Sequence, residues 1–471
     1  MNITHQCLQI KGMDFQRLQK MTIRHRPNHY AFMRLAGEAD KSVMEPFLSR
    51  SSETLITVSA IEPMGKEQVI FRGYIVRLHL QEKKHYSQVQ VLLADTSYHL
   101  DLQRERKSFQ NLQKTYGTIL TEACQQNGLG DKAKIIMNVP DKPIGEFILQ
   151  LGETDWAFVR RVASRFAVPV FTDCIAESPT LSIGLPPASN KERVLERATY
   201  IAHYQDGQRQ FCRENSLTGD RQSIAEDFAS LLVESDEYMP LGVKVSYQEK
   251  NYYIAAVMGN LRDGMLHMRY RLAGKTSFLV PVAKNTSCAG LVLIGQVKNV
   301  QQDKVKVHFV HVDAEYDEGT TKWFPYSTAY SSGDSSGWYI MPDEGDYVRV
   351  FFPTQEEKDA FCVSTVNAAP PANTRNKTLR APGGKELLIT DDSVHLITKH
   401  QNTFIDMSGT GISISTSNAI DVKADKNVVL YAKEIEFLAD KRIAFMAGAT
   451  TVRMTDALIQ LASEDIVVGG I

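Results

Sequence analysis

Between residues 385 and 471 an apolar–any–apolar triplet keeps returning. It reads Ile405-Asp-Met407, Ile412-Ser-Ile414, Ile420-Asp-Val422, Val428-Val-Leu430 and Ile435-Glu-Phe437. It continues as Ile443-Ala-Phe445, Val452-Arg-Met454, Ile459-Gln-Leu461 and Ile466-Val-Val468. Successive starts lie 7, 8, 8, 7, 8, 9, 7 and 7 residues apart, and less regular copies stand at Leu387-Leu-Ile389 and Val394-His-Leu396. A period near eight is too short for a helical-hairpin solenoid. Within a triplet the period is two, so each unit is one short strand and a bend. About two inward side chains per unit cannot enclose a core in one chain. Three chains wound into a three-sided prism can, and the winding pairs strand edges that would otherwise stay open. Eleven units at about 4.8 Å each make a rod of roughly 50 Å. The triplets are β-branched, and Gly409, Gly411, Asn418 and Asn427 fall in the bends, which disfavours a heptad coiled coil. A single-chain β-helix would want longer coils. The expected trimer core is Ile412, Ile414, Ile420, Val422, Val428, Leu430, Ile435, Phe437, Ile443, Phe445, Val452, Met454, Ile459 and Leu461.

The remainder of the 471 residues is long enough for two further domains. Lys+Arg is 53 against Asp+Glu 55, so the chain lacks the charge surplus that phosphate recognition needs. Apolar stretches fall well short of the roughly 20 residues of a membrane-spanning helix. The start, Met1 to Phe15, has no basic segment followed by an apolar run, so no signal peptide is expected. Cys7, Cys124, Cys174, Cys212, Cys288 and Cys362 form no Cys-x-x-Cys pair and read as reduced, mostly buried thiols rather than a zinc site.

Residues 20–102 alternate as half-buried antiparallel strands do, notably over Phe71–Leu80 and Gln88–Leu93. Residues 109–168 turn helical. Leu112, Thr115, Tyr116, Ile119, Leu120 and Cys124 recur at helical spacing before Asn127-Gly128. A second helix over Trp156, Val159, Val162, Ala163 and Phe166 ends before Pro169. Arg160, Arg161 and Arg165 lie on or beside its apolar face and read as a solvated edge or as carboxylate partners, ahead of an anion site. The strand–turn–strand of 69–95 is echoed at 252–274, which predicts two related small β-barrels. Residues 286–369 read as a five-stranded barrel of the oligonucleotide/oligosaccharide-binding (OB) type, and 370–385, with its Pro and Gly, as a linker to the prism at 386–471. The fold expected is mainly β: a first domain, 1–285, of two small β-barrels with a helical insert, then an OB-fold barrel, then an intertwined trimeric β-prism.

Two motifs and this domain order carry a resemblance. Glu153-Thr-Asp-Trp-Ala-Phe-Val-Arg-Arg161 and Gly337-Trp-Tyr-Ile-Met-Pro-Asp-Glu-Gly-Asp-Tyr-Val-Arg-Val350 resemble patterns of VgrG, the valine-glycine repeat spike of type VI secretion. They equally resemble the fused hub and spike of myovirus tails and tailocins. The named Val-Gly repeat is absent, and the apolar triplets stand in its place. The resemblance implies a homotrimeric hub and needle at the tip of a contractile injection machine. Its implied partners are a hexameric inner-tube protein, baseplate proteins, a conical tip cap of the PAAR type and effector cargo, with the target cell envelope met transiently. Gly469, Gly470 and Ile471 are the expected cap contact. The implied site of assembly is the bacterial cytoplasm, before outward carriage with the apparatus. A phage baseplate or fibre-type receptor-binding trimer is the alternative.

No catalytic site, cofactor or metal is expected. Gly274-Lys-Thr276 resembles the end of a phosphate loop, but Arg269 stands where the upstream glycine belongs. His308 and His311 on a strand would face opposite ways. His25 and His29 flank Pro27, which spoils a helical metal pair. Trp323, Phe324, Tyr326, Tyr330, Trp338 and Tyr339 would suit single-stranded nucleic acid only in a basic groove. Asp313, Glu315, Asp317, Glu318, Asp334, Asp343, Glu344 and Asp346 make that region acidic, so packing inside a trimer is the expectation and no nucleic acid is expected.

Overall fold

The computed structural model describes residues 3–40, 54–61, 65–125, 133–187, 193–207, 211, 213, 225–334, 336–367, 372–398 and 403–467. The chain divides into two units, 1–368 and 369–471.

The first unit opens with strands β1 (Leu8–Lys11), β2 (Arg17–His25), β3 (Phe32–Ala39), β4 (Ile56–Ile61), β5 (Glu67–Glu82) and β6 (Ser87–Asp95). A mixed segment follows: β7 (Arg104–Phe109), helix α1 (Tyr116–Cys124), β8 (Lys134–Met137), β9 (Ile148–Thr154), helix α2 (Asp155–Ser164), β10 (Val170–Thr172) and β11 (Thr180–Ile183). Then come β12 (Thr199–Gln205), β13 (Ala229–Ser235), β14 (Lys244–Tyr247), β15 (Lys250–Arg262) and β16 (Met265–Ala273).

Strands β1–β6 and β12–β16 form one eleven-stranded sheet in the order β1-β4-β5-β6-β3-β2-β15-β16-β13-β12, with β14 also on β15. The echoed stretches are its two long hairpins, β5–β6 and β15–β16. The strand–turn–strand stretches of the two expected small β-barrels are both present, and β2 pairs with β15 so that they share a single sheet. Gly259 makes that seam. It is in register with Ile23 on one side and Met268 on the other. A Cβ there would lie 2.6 Å from the Ile23 side chain and 2.7 Å from the Met268 sulfur. One core runs through both clusters, from Ile70, Phe71 and Val89 to Val233, Ile254 and Leu272.

The segment expected to be helical, 109–168, holds two helices, and strands β8 and β9 besides. Thr115 caps α1, accepting from the Thr118 amide, and Thr154 caps α2, accepting from the Ala157 amide at 3.1 Å. Asn127 and Gly128 lie outside the described residues.

Residues 291–366 close into a five-stranded barrel, β17 (Leu291–Gln301), β18 (Lys304–His308), β19 (Phe324–Ser327), β20 (Tyr347–Phe352) and β21 (Phe361–Val366), in the order β17-β18-β19-β21-β20. Its core of Val297, Val305, Val307, Phe324, Val348 and Val350 also takes in Phe147 and Leu149, beside and within β9.

The second unit contains β22 (Lys377–Ala381), β23 (Lys385–Ile389), β24 (Ser393–Ile397), β25 (Thr403–Ser408) and β26 (Gly411–Thr416), an antiparallel meander. A smaller meander follows: β27 (Ile443–Ala447), β28 (Thr450–Met454) and β29 (Ile459–Ala462). β22 falls inside the stretch expected as linker. Pro382-Gly383-Gly384 is a hairpin turn, with both glycines at positive φ (86° and 81°).

Candidate functional site

The triplets of the second unit align across its strands. Leu379, Leu387, Leu396, Ile405 and Ile414 pair in register from β22 to β26. Ile389, Val394, Met407 and Ile412 make a second ladder two residues away. The side-chain period of two puts both ladders on one sheet face. The middle residues, among them His395, Asp406 and Ser413, take the other face. The smaller meander repeats the device with Phe445, Val452 and Leu461, and with Ile443, Met454 and Ile459.

The ladders range from half-buried at Leu387, Val394 and Ile405 to exposed at their edges. Ile412 is 73% exposed, Ile414 57%, Ile459 71% and Leu461 52%. Ile443, Val452 and Met454 are partly exposed, and Phe445 is exposed. Between Ser417 and Arg442 the chain forms no strand at all. There Ile420, Val422, Val428, Leu430, Ile435 and Phe437 are all exposed. The structure thus brings the expected prism residues onto one face at each end of the repeat, and leaves the middle triplets without a pairing partner. Where strands do form they pair with their neighbours in the same chain. The reason is local: short turns, of two residues at Gly409-Thr410 and Gly448-Ala449 and three at Pro382-Gly383-Gly384, fold strands back on their predecessors. Gly469, Gly470 and Ile471 lie outside the described residues.

The Glu153–Arg161 motif ties the hub helices to the barrel. Arg161, 5% exposed, donates from Nε and Nη2 to the two oxygens of Glu153, each at 2.8 Å. Its Nη1 donates to Glu357 at 2.8 Å, on the turn before β21, and Nη2 also reaches the Leu149 carbonyl. Glu357, 3% exposed, further accepts from Arg165 Nη2 at 3.1 Å and Asn285 Nδ2 at 3.1 Å. Arg165 also pairs with Glu146. Of Arg160, Arg161 and Arg165, the last two are therefore carboxylate partners, and Arg160 stays exposed. The paired carboxylates raise the already high pKa of Arg161, against the effect of burial. Asp155 is fully buried at the start of α2 and accepts from Gln150 Nε2 at 2.8 Å. A second tie is Asp313 of the barrel, which accepts from the Ser108 amide at 2.7 Å and from its hydroxyl.

A buried polar chain in the hub had no counterpart in the sequence reading. Thr172 Oγ1 donates to Asp95 Oδ2 at 2.8 Å, so His25 Nε2, 2.8 Å from the same hydroxyl, is the donor to it. Asp95 also accepts from the amides of Ala31 (2.6 Å) and Ser97 (2.9 Å). Burial pushes His25 down to about 3 and Asp95 up to about 6, despite the hydrogen bonds that favour the carboxylate. His25 and Thr172 are 147 residues apart, and no local pattern signals such a contact.

The other candidate groups fall apart spatially. His308 Nε2 lies 3.1 Å from the Asp313 carbonyl, and His311 sits in a turn beyond β18. His25 is buried at the end of β2, whereas His29 is exposed. Lys275 begins a short 3-10 turn. Of the barrel aromatics, Phe324 is buried, Trp323 lies under Lys306, and Tyr330, Trp338 and Tyr339 are 54%, 65% and 71% exposed. Cys124, Cys174, Cys288 and Cys362 are free and buried, and burial pushes Cys288 and Cys362 up to about 12; Cys212 lies outside the described residues.

Residues 52–183 match the phage tail baseplate hub (GPD) family. No curated protein sequence matches the chain. Solved structures match it in fold. The E. coli c3393 protein is described as a component of the type VI secretion system with structural similarity to the T4 tail proteins gp27 and gp5. It aligns over 76% of this chain and 99% of its own, at 15% identity and TM-score 0.54. A chain of the half-lidded Francisella PdpA–VgrG complex aligns over 88% of this chain and 87% of its own, at 10% identity and TM-score 0.52. A chain of the lidless PdpA–VgrG complex gives 88% and 98%, at 10% identity and TM-score 0.53. The fold is mainly β and VgrG-like, of the kind found in hub and baseplate-spike proteins.

Proposed function

We propose that three copies of this chain form the hub and needle of a contractile injection machine, as a structural part that catalyses no reaction. The observation that carries this reading is the uncovered apolar face of the repeat. Exposed apolar patches beyond a few hundred Å² are rare on monomers and mark association surfaces. A one-sided sheet whose bare face repeats along its length suits a prism of identical copies, in which each face covers the others. The unpaired middle triplets support the same conclusion. They carry the pattern of strands, and strands from neighbouring copies would pair them.

In the hub each chain supplies two strand clusters in one sheet, and three chains supply six. That number matches a hexameric inner tube, and the baseplate would grip the same ring. The matched relatives include a type VI secretion component and VgrG in complex with PdpA, which supports tail-machine partners for this chain. A PAAR-type cap on the C-terminal residues and an effector passenger complete the expected assembly. It would form in the bacterial cytoplasm and travel outward when the sheath contracts. The sheath supplies the work, and the needle has only to stay rigid.

The test is absolute mass by light scattering, for the full chain and for residues 1–368. Three times 52.9 kDa for the full chain, falling towards one copy on truncation, is expected. A full-length monomer at micromolar concentration would remove the physical basis of the needle.

A further inference from the structure

The outer face of the eleven-stranded sheet carries positive charge that the chain leaves unanswered. Along β2, β3 and β16, Ile23, Met33 and Met268 point into the core, while Arg24, Arg34 and Arg269 stand outside. Register sets these arginines in two adjacent rows. One runs Arg77, Leu92, Arg34, Thr22 across β5, β6, β3 and β2. The next runs Phe32, Arg24, Met258, Arg269 across β3, β2, β15 and β16. Strand spacing puts Arg77 and Arg34 about 10 Å apart at the backbone, and Arg24 lies on the diagonal roughly 7–8 Å from Arg34. Arg269 is answered by Glu234 at 3.3 Å, and Arg271 by Asp206 at 3.0 Å. Arg24, Arg34 and Arg77 are exposed and have no carboxylate partner among the described residues.

At the seam between β2 and β15 this face dips into a cavity of about 650 Å³. Arg24, Arg26 and Arg271 line it together with Phe32, Tyr204 and Met258. His29 and Asp206, the partner of Arg271, share the cavity wall, and burial, then Arg26 and Arg160, hold the pKa of His29 below the ordinary range. Clustered like charges are destabilising across strands. Arginine, methionine and aromatic side chains around a pocket are the composition of protein-binding hot spots. The apolar walls favour a protein segment over a nucleic acid, which would want stacked aromatics along a continuous basic groove.

We propose that the seam cavity and the arginine rows form a docking surface for an acidic protein segment. One apolar side chain of that segment fills the cavity, and flanking carboxylates pair with Arg24, Arg34 and Arg77. This surface lies on the eleven-stranded sheet of the first unit.

The experiment selects displayed random peptides of about 12 residues on the full-length chain. Enrichment of Asp and Glu around one large apolar residue is expected. The best peptide, synthesised, should bind at least roughly tenfold more weakly to the double variant Arg24→Glu/Arg34→Glu, and keep its affinity for Arg24→Lys/Arg34→Lys. Binding should also weaken as salt rises from about 50 to about 300 mM. These arginines are exposed, so circular dichroism of the variants should be unchanged. Peptides no more acidic than the input library, or equal binding to the double Glu variant, would overturn the proposal. So would a single-stranded DNA of about 12 nucleotides that binds more tightly than the best peptide and is lost in the same variant, which would assign the face to nucleic acid.

Discussion

Arg161 neutralises Glu153 and shares Glu357 with Arg165, so its loss would leave buried carboxylate uncompensated. Arg161→Met should destabilise the first unit by about 3–5 kcal/mol, measured by urea denaturation, because a broken buried pair costs far more than an intact one gains. Arg161→Met combined with Glu357→Gln should recover part of that loss. The His25–Thr172–Asp95 chain makes a pH prediction. His25 has a folded pKa of about 3, below its ordinary 6.5, so its stabilising effect is lost as pH falls below 6.5. Asp95 has a folded pKa of about 6, above its ordinary 3.8, so its effect is lost as pH rises through about 6. Between about pH 4 and 6 the native state holds one proton on Asp95 and the unfolded state holds one on His25, so the slopes cancel. Asp95→Asn should remove the offset. Its unfolding free energy in urea should fall with acidification across that window, by about 1.4 kcal/mol per pH unit relative to the parent. Equal slopes for parent and variant would show that the two groups do not titrate as a compensating pair.

At the scale of elements, the seam between β2 and β15 decides whether the hub is one body. Gly259 has no room for a side chain between Ile23 and Met268. Gly259→Val should cost about 1–3 kcal/mol in chemical denaturation through overpacking. In the second unit, the triplets determine which side chains share a face, and the short turns between successive strands determine which strands are neighbours. The exposed middle triplets, on the proposed prism, predict that Val422→Asp together with Ile435→Asp lowers the melting temperature of the full-length assembly. The same pair should leave the unfolding transition of residues 1–368 unmoved, which differential scanning calorimetry would separate.

For the whole molecule, fold class, the order of hub, barrel and repeat, and the apolar faces of the repeat were legible in the chain. Alternation and triplet spacing are local, and backbone geometry converts them directly into faces. For Arg161 and Arg165 a solvated edge and carboxylate partners both stayed open, and Glu357 lies 196 residues from Arg161, where nothing in the sequence names it. The joining of two strand clusters into one sheet was equally illegible, since edge pairing depends on which strands meet in space. The sequence by itself determined what each residue must hide or expose: alternating core positions, turn glycines, and a repeat that cannot bury itself. Only the tertiary structure decided which distant groups satisfy one another, namely His25 with Thr172 and Asp95, Glu357 with Arg161, and β2 with β15. Burial and hydrogen bonding are local demands, whereas their partners are supplied by whichever part of the chain the packing brings near.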